Sequence, residues 1–153
     1  MAVGIFPEID ENALYISRYD PHEALGSCSP HAFSLEEFEW PSVEHYFHAM
    51  KFADLAYQQK IRQAANPKKA KSLGRSRRQK LRKDWSEVKE VIMTRAVYIK
   101  CRTHDEVSAK LLETDERKIV CAVQYDYFWG IGRDRRGENA YGKVLMRVRD
   151  KLR

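Results

Sequence analysis

The sequence predicts an α+β fold, helix-rich with a small sheet, in one domain spanning residues 1–153. A length of 153 residues suits one hydrophobic core, because two domains would leave each half short of a core. Apolar residues recur at helical spacing through several stretches after residue 42. Strand-like stretches are few and do not alternate regularly with helices, so we do not expect a Rossmann-type fold.

The first 40 residues are predicted to form short strands and loops. Residues 13–16 are an apolar stretch of strand length, and residues 33–40 alternate in places. Pro41 then breaks the chain, and Ser42 is a suitable N-cap for a helix running to about residue 57. Apolar side chains in that segment supply the buried stripe of the helix.

Helix-start signals continue through the second half. Asn66 followed by Pro67 predicts a short helix, which Gly74 can end in the left-handed conformation. Asp84 is expected to cap a long helix that runs to about Arg102.

The C-terminal third is predicted as a helix, a strand, a loop and a final helix. The helix covers residues 105–112, and the apolar run 119–123 has strand length. Residues 125–138 are rich in glycine and aromatic residues and are expected to form a loop. Asn139 opens a last helix whose apolar positions continue to residue 152.

Composition excludes several protein classes. Hydrophobic residues make up 43% and charged residues 33%, which is typical of a globular protein rather than a disordered one. No apolar run approaches the ~20 residues that span a bilayer. The first twelve residues lack the basic-then-apolar order of a secretory signal. Three cysteines without CxxC spacing predict reduced thiols, a cytoplasmic location and no zinc site, and no cofactor is implied.

Positive charge is concentrated in one segment, which we call the basic segment, residues 68–83. It holds nine lysines and arginines and no acidic residue, whereas the whole chain carries a net charge of +6. Such a segment attracts phosphate on a nucleotide, a sugar or a nucleic acid. A solvated basic helix and loop is an equally acceptable interpretation of the charge alone.

A first group of reactive side chains lies within about two helical turns: Glu44, His45, His48 and Lys51. A nearby amine lowers the pKa of a carboxyl group, whereas burial raises it, so this group could supply a base or an ion stabiliser. Spacing alone favours a simpler interpretation, in which Glu44, His48 and Lys51 share the solvated face of an amphipathic helix.

A second group is the aromatic-glycine loop, residues 124–132. Its glycines permit close backbone approach to a ligand, and its aromatic side chains could stack on a flat heterocycle. Asp126 adds a carboxylate beside them. The alternative is a structured loop whose aromatic residues fill the core, which is the commoner use of buried tryptophan and tyrosine.

In combination these segments resemble the YbiA-like NADAR family, from about residue 19 to residue 152. The matching stretches are Trp40-Pro41-Ser42-Val43-Glu44-His45-Tyr46-Phe47, Lys51-Phe52, Leu73-Gly74-Arg75, Asp84-Trp85, Val91-Ile92-Met93, Leu111-Leu112-Glu113-Thr114, Tyr125-Asp126-x-x-Trp129-Gly130-x-Gly132 and Gly137-x-Asn139-x-x-Gly142. The resemblance implies a YbiA-like domain that hydrolyses a ribose–nitrogen bond in early riboflavin-pathway ribosylaminopyrimidine phosphates and releases ribose 5-phosphate. Related members remove ADP-ribose from a nucleobase, and a non-catalytic nucleotide or nucleic-acid binder is a third possibility.

The resemblance also implies site residues. Glu44 or Asp126 would stabilise the oxocarbenium-like sugar, and the other would activate water. Lys51 would bind phosphate or attack C1 as an amine and form a Schiff base. Trp85 and Trp129 would sandwich the pyrimidine, and Arg75 would take the 5′-phosphate. The full set of expected substrate-binding residues is His45, Arg75, Trp85, Trp129, Gly130, Gly132 and Asn139. No metal ligand is expected.

Two departures from the family pattern stand out. Where the family has a Phe-Ser-Asn-Phe run, this chain has Cys28-Ser29-Pro30-His31, which predicts an altered pocket wall and substrate preference. Where the family has a glutamate in the strand before Tyr125, this chain has Cys121. A cysteine there predicts a buried small hydrophobe, and with it reduced or altered activity if the glutamate is essential.

Overall fold

The computed structural model describes residues 9–153, so the first part of the N-terminal segment examined for a secretory signal lies outside the described residues. Within the described residues the chain forms six helices and four short strands. Their bounds, in chain order, are β1 Leu14–Ile16, β2 Phe33–Leu35, β3 Phe38–Trp40, α1 Val43–Ala49, α2 Leu55–Arg62, α3 Pro67–Gly74, α4 Trp85–Thr103, α5 Asp105–Glu113, β4 Ile119–Cys121 and α6 Ala140–Leu152. The predicted helix-rich α+β class with little sheet is confirmed.

The strands form two separate two-stranded sheets. β1 pairs with β4 in parallel, with Leu14 opposite Ile119, whereas β2 and β3 form an antiparallel hairpin. The hairpin turn uses Glu36 and Glu37 at φ values of 57° and 67°. The parallel pair joins the first strand to the last one, and α6 packs against β4. None of the helices between residues 9 and 153 is both long and apolar enough to span a bilayer.

The predicted helix from Ser42 to residue 57 is in fact two helices. Ser42 is the N-cap, as predicted, and its Oγ accepts a hydrogen bond from the backbone N–H of His45. α1 ends at Ala49, and Asp54 begins α2 by accepting bonds from the backbone N–H groups of Ala56 and Tyr57. The apolar pattern runs on through the break, so periodicity alone does not separate the two helices.

α3 begins as predicted and ends differently. Asn66 accepts a hydrogen bond from the backbone N–H of Lys69, with Pro67 in the first helical position. Gly74 is the last helical residue and is not among the residues with positive φ, so the expected left-handed termination is wrong. A Cβ at Gly74 would instead collide with the imidazole of His48, so this glycine lets α3 approach α1 closely.

The long helix α4 begins at the predicted residue, but Asp84 does not cap it with its side chain. Its carboxylate makes no cap hydrogen bond and instead pairs with Arg82 at 2.6 and 3.1 Å. α1 lies at the centre of the molecule, against α2, α3, α4 and β3, and all seven of its residues are buried. The core around it is rich in aromatic side chains, including Trp40 and Tyr46, whose ring centroids lie 5.2 Å apart.

Replacing Gly74 with Ala tests the close approach of α3 and α1. Helix propensity alone would make this change stabilising by about 1 kcal/mol. Collision with His48 should reverse the sign and lower the free energy of unfolding by about 1–2 kcal/mol, the usual range for overpacking. Urea unfolding measures the difference. The control is Ser72→Ala, at an exposed position of α3; a Gly74→Ala variant as stable as this control would contradict the packing argument.

Candidate active site

A fully buried carboxylate lies at the centre of the site. Glu44 is 0% exposed, and both of its carboxylate oxygens have partners. Oε1 accepts from Arg18 Nη2 at 2.9 Å and from Ser27 Oγ at 2.5 Å, and Oε2 lies 2.8 Å from His48 Nε2. The expected contact between Glu44 and His48 one turn later is present. The interpretation of this helix face as solvated is wrong, because α1 is enclosed on every side.

Arg18 is one of the site residues that sequence reasoning missed. Its side chain is 2% exposed, and its guanidinium lies 4.7 Å from the ring centroid of Tyr19 and 5.4 Å from that of Trp129. Its Nε and Nη1 atoms find no hydrogen-bond partner among residues 9–153. The sequence carries no signal for it, because an isolated arginine before a tyrosine looks like a surface residue until its partner Glu44 is brought against it.

These contacts lower the pKa of both Glu44 and His48, which gives the two groups different charges at neutral pH. Burial alone would raise the pKa of the Glu44 carboxyl, but Arg18, with His48 and Ser27, outweighs burial and holds it well below its usual range. Burial lowers the pKa of His48 to about 4, although Glu44 opposes that shift. At neutral pH Glu44 is therefore charged, and His48 is neutral and donates its Nε2–H to Glu44.

Lys51 follows α1 and lies half-buried beside this network. Burial lowers the pKa of its ammonium to about 8, with Glu44 opposing the shift and the cations Arg18, Arg75 and Lys71 adding to it. Its Nζ donates to the backbone carbonyl of Gly74 at 3.3 Å. An amine in this state is partly neutral near physiological pH, which makes it a usable nucleophile.

A cleft of about 530 Å³ opens next to these groups. It is lined by Tyr19, Pro21, Cys28, Asn66, Pro67, Lys68 and Lys71. Lys71 Nζ lies 3.7 Å from the centroid of the Tyr19 ring, and burial, with Arg75 adding to it, lowers the pKa of Lys71. A cleft lined by an aromatic ring and by two lysines suits a ligand that carries both a flat ring and an anionic group.

The two expected tryptophans belong to one aromatic cluster. Trp129 is buried and Trp85 is half-buried. The ring of Phe47 contacts both, with centroid distances of 5.1 Å to Trp85 and 5.5 Å to Trp129. Phe47, which the motif contains but which was not expected in the site, therefore joins the two indoles. Lys51 Nζ lies 5.5 Å from the Phe47 centroid and 5.9 Å from that of Trp85, so the amine is close to this cluster.

Asp126 organises the aromatic-glycine loop. Its Oδ1 accepts from the backbone N–H groups of Phe128 and Trp129, at 3.0 and 2.8 Å. Its carboxylate is partly exposed and near enough to Tyr19 to act on the pKa of that phenol, which burial raises. The loop thus brings a second carboxylate towards the side of the site where Arg18 and Tyr19 lie.

The expected substrate-binding residues Gly130, Gly132 and Asn139 make their contacts with other parts of the protein. Gly132 has a φ of 72° and lies against the Tyr127 ring, which a Cβ would enter. Gly130 is buried against the backbone carbonyl of Asp126. Asn139 precedes α6 at a φ of 54°, and its side chain makes no cap bond. Instead its amide donates to the carbonyl of Ile119 and accepts from the N–H of Cys121, tying α6 to β4.

His45, Arg75 and Cys121 complete the expected set. His45 is buried, with Nδ1 2.7 Å from Ser42 Oγ and Nε2 3.0 Å from the Ala64 carbonyl, so both of its ring nitrogens have protein partners. Arg75 is exposed at the end of α3. Cys121 is 0% exposed in β4, and burial raises the pKa of its thiol. Within residues 9–153 no group of three His, Cys, Asp or Glu side chains is arranged to hold a metal ion.

Fold and site together define a small α+β domain with a buried arginine–glutamate–histidine network beside a cation-lined cleft. The NADAR domain matches residues 6–153, so the chain belongs to the NADAR family. The N-glycosidase YbiA of Escherichia coli is 42% identical over 138 residues, covering 90% of this chain and 86% of YbiA. The N-glycosidase Npun_R5314 of Nostoc punctiforme is 38% identical over 138 residues, covering 88% of each chain.

Two further comparisons extend the family relationship. The NMR structure of Escherichia coli YbiA superposes with a TM-score of 0.83 at 34% identity, covering 97% of this chain and 89% of that chain. The chloroplastic riboflavin biosynthesis protein PYRR of Zea mays is 32% identical over 153 residues, covering 90% of this chain and 25% of that protein. The predicted YbiA-like fold and family are confirmed.

The state of His48 predicts a pH dependence of stability. The folded pKa of about 4 lies below the ordinary value of 6.5, so the unfolded chain binds more protons between these values. Stability from this group is fully present above pH 6.5 and falls as pH drops towards 4, by up to about 3 kcal/mol. Urea unfolding from pH 4.5 to 7.5 should show a shallower loss in His48→Gln. The control His22→Gln, at an exposed histidine, should keep the wild-type slope; equal slopes in all three proteins would contradict the argument.

Proposed function

We propose that the protein is an N-glycosidase that hydrolyses the ribose–nitrogen bond of an early ribosylaminopyrimidine phosphate of the riboflavin pathway and releases ribose 5-phosphate. Two N-glycosidases of this family, at 38% and 42% identity, support the reaction class, and the maize riboflavin biosynthesis relative supports the pathway. The observation that carries the proposal is the partly buried amine of Lys51, with a pKa of about 8, beside the charged Glu44 network.

In this mechanism the neutral amine of Lys51 attacks ribose C1. A bond forms between Nζ and C1, the bond between C1 and the pyrimidine nitrogen breaks, and the aminopyrimidine leaves with a proton. A proton moves from Nζ to the ring oxygen as the sugar ring opens, which yields a protonated Schiff base between Lys51 and the ribose phosphate. Water then adds to the imine carbon, which releases ribose 5-phosphate and regenerates the amine. The steps sum to hydrolysis and consume one water molecule.

Glu44 and Asp126 have different roles in this mechanism. Both oxygens of Glu44 are engaged and its pKa is held low, which suits a fixed negative charge near the cationic sugar and does not suit a base. We therefore assign water activation to Asp126, which lies partly exposed in the aromatic-glycine loop. The fixed charge also stabilises Lys51 when its amine carries a proton or an iminium charge.

Substrate binding draws on the cleft and on α3. Lys68 and Lys71 line the cleft and Arg75 ends the same helix, so these cations are the proposed phosphate contacts. The cluster of Phe47, Trp85 and Trp129 is the proposed contact for the pyrimidine. His45, Gly130, Gly132 and Asn139 contribute indirectly in this proposal, because their described contacts are with the protein itself.

The first test combines turnover with chemical trapping. Wild-type protein incubated with the two early ribosylaminopyrimidine phosphates should release ribose 5-phosphate, measured by mass spectrometry. Sodium borohydride added during turnover should fix a ribose phosphate adduct on Lys51, located by peptide mass spectrometry. Lys51→Met should lose both signals, and Lys60→Met, on the exposed side of α2, should keep them. Release without an adduct would restrict Lys51 to phosphate binding; binding without release would indicate a non-catalytic nucleotide binder.

A second candidate substrate is an ADP-ribosylated nucleobase within a nucleic acid. The observation that favours it is the basic segment, since Arg75, Arg77, Arg78, Lys80 and Lys83 are all exposed in the structure. A polyanion bound there would release counterions, whereas a small phosphate would release few.

Salt dependence separates the two substrates. If a nucleic acid is the substrate, affinity should fall steeply between 50 and 200 mM salt, by about tenfold or more for several phosphate contacts. Substituting Arg77 and Arg78 with Ala should reduce that slope. For a small ribose phosphate the slope should be shallow and unchanged in the variant. Fluorescence anisotropy with a labelled oligonucleotide measures the slope, and the absence of oligonucleotide binding would reject this candidate.

A further inference from the structure

A buried lysine on α4 contacts the segment that bonds to Glu44. Lys100 is 2% exposed, and its Nζ donates to the carbonyl of Gly26 at 2.7 Å and to Ser29 Oγ at 2.6 Å. These partners are neutral groups rather than carboxylates. Burying a lysine among neutral groups is unfavourable, and a helix position on the core side would ordinarily hold an apolar residue. The burial of Lys100 among neutral partners therefore requires a structural explanation.

Both partners of Lys100 belong to a short irregular segment, residues 26–29, which we call the Ser27 loop. The Ser27 loop supplies two parts of the site. Ser27 Oγ donates to Glu44 Oε1 at 2.5 Å, and the Ser27 carbonyl accepts the Glu44 backbone N–H at 3.0 Å. The next residue, Cys28, lines the cleft. A shift of this loop would move the Glu44 carboxylate and the cleft wall together.

Most other hydrogen bonds of the loop join it to its own chain neighbours, residues 18–31, including the His31 N–H to the Ser29 carbonyl at 2.8 Å. Gly26 N–H bonds to the Glu23 carbonyl at 2.9 Å, and Cys28 N–H bonds to the Arg18 carbonyl at 3.2 Å. Ser29 Oγ lies 3.3 Å from the Gly26 carbonyl, a long contact. Within residues 9–153, the bonds that reach this loop from outside residues 18–31 are those of Glu44 in α1 and the two from Lys100 in α4, a helix of 19 residues that is itself packed in the core. A helix packed in the core thus holds the loop at both of its ends, Gly26 and Ser29.

The charged and titratable groups around Lys100 come from three segments. Burial lowers the pKa of Lys100 to about 8; Cys101, Glu23 and Cys28 oppose that shift, and Lys110 adds to it. His31 also faces this group, because Lys100 contributes to lowering its pKa after burial. Protonated or neutral, an amine keeps at least two N–H groups, so both bonds to the loop can persist across this range.

We propose that Lys100 is a positioning residue for the site: it clamps the Ser27 loop, and through that loop it holds Glu44 and the Cys28 wall in place. The catalytic consequence rests on the proposed glycosidase function. The clamp itself does not, because it is a statement about which groups hold the loop.

Thiol labelling tests the clamp without any activity measurement. Cys28 lies in the cleft wall at 8% exposure, whereas Cys101 and Cys121 are 1% and 0% exposed and act as internal controls. In Lys100→Met and in Ser29→Ala, iodoacetamide should modify Cys28 about tenfold faster than in the wild type, with the other two thiols still protected. The matched control is Arg102→Met, exposed on the same helix, which should behave as wild type.

Amide hydrogen exchange supplies a second readout. The Glu44 N–H, which bonds to the Ser27 carbonyl, should exchange faster in both variants, while amides in the middle of α4 keep their protection. Equal labelling of all three cysteines would show global loosening and overturn the proposal. The proposal would also be overturned if Ser29→Ala labels and exchanges like the wild type, while Lys100→Met either behaves like the wild type or loosens uniformly.

Kinetics then connect the clamp to the site. With an active wild type, Lys100→Met and Ser29→Ala should each lower kcat/KM by about tenfold or more, as a small misplacement of reacting groups does. The double variant should lose little more than either single one, because both changes release the same loop. Unaltered kcat/KM in variants that label rapidly would reject the catalytic part. An inactive wild type would count against the glycosidase proposal, while labelling and exchange still decide the clamp.

Discussion

The buried ion pair between Arg18 and Glu44 is the interaction on which the arrangement of the site depends. Removing two charges from water costs several kcal/mol for each ion, and only close, well-satisfied geometry repays that cost. Here Ser27 and His48 occupy the remaining positions on the carboxylate, and aromatic rings surround the guanidinium. The segment that follows β1, the Ser27 loop and α1 must therefore meet in one relative position.

Around this pair, some ionisable groups keep a constant charge near neutral pH and one can change its charge. Arg18 and Glu44 keep their charges across the physiological range, and His48 stays neutral because burial opposes its protonation. Lys51 is different, since burial brings its pKa to about 8 and its proton can leave near neutral pH. A fixed anion beside an adjustable amine is an arrangement suited to amine chemistry at a sugar carbon, because the anion stabilises each cationic form of the amine.

Local signals in the sequence predicted the elements well and their ends less well. Ser42 and Asn66 were identified as N-caps because a cap depends on residues within one turn. The sequence predicts a helix end at Gly74 and a helix cap at Asp84, but in the structure Gly74 lies against His48 and Asp84 pairs with Arg82. A glycine that ends a helix and a glycine that admits a neighbouring helix look identical in a sequence.

By itself the sequence determined the helix-rich α+β class, the family, and the motif that contains Glu44 and Lys51, because these follow from short-range patterns and characteristic residue combinations. Only the tertiary structure decided that Glu44 is buried and charged, that Arg18 is its partner, and that Lys100 holds the loop between them. The reason is physical: a pKa and an ion pair depend on which groups the fold brings within a few ångströms, and these groups lie far apart along the chain.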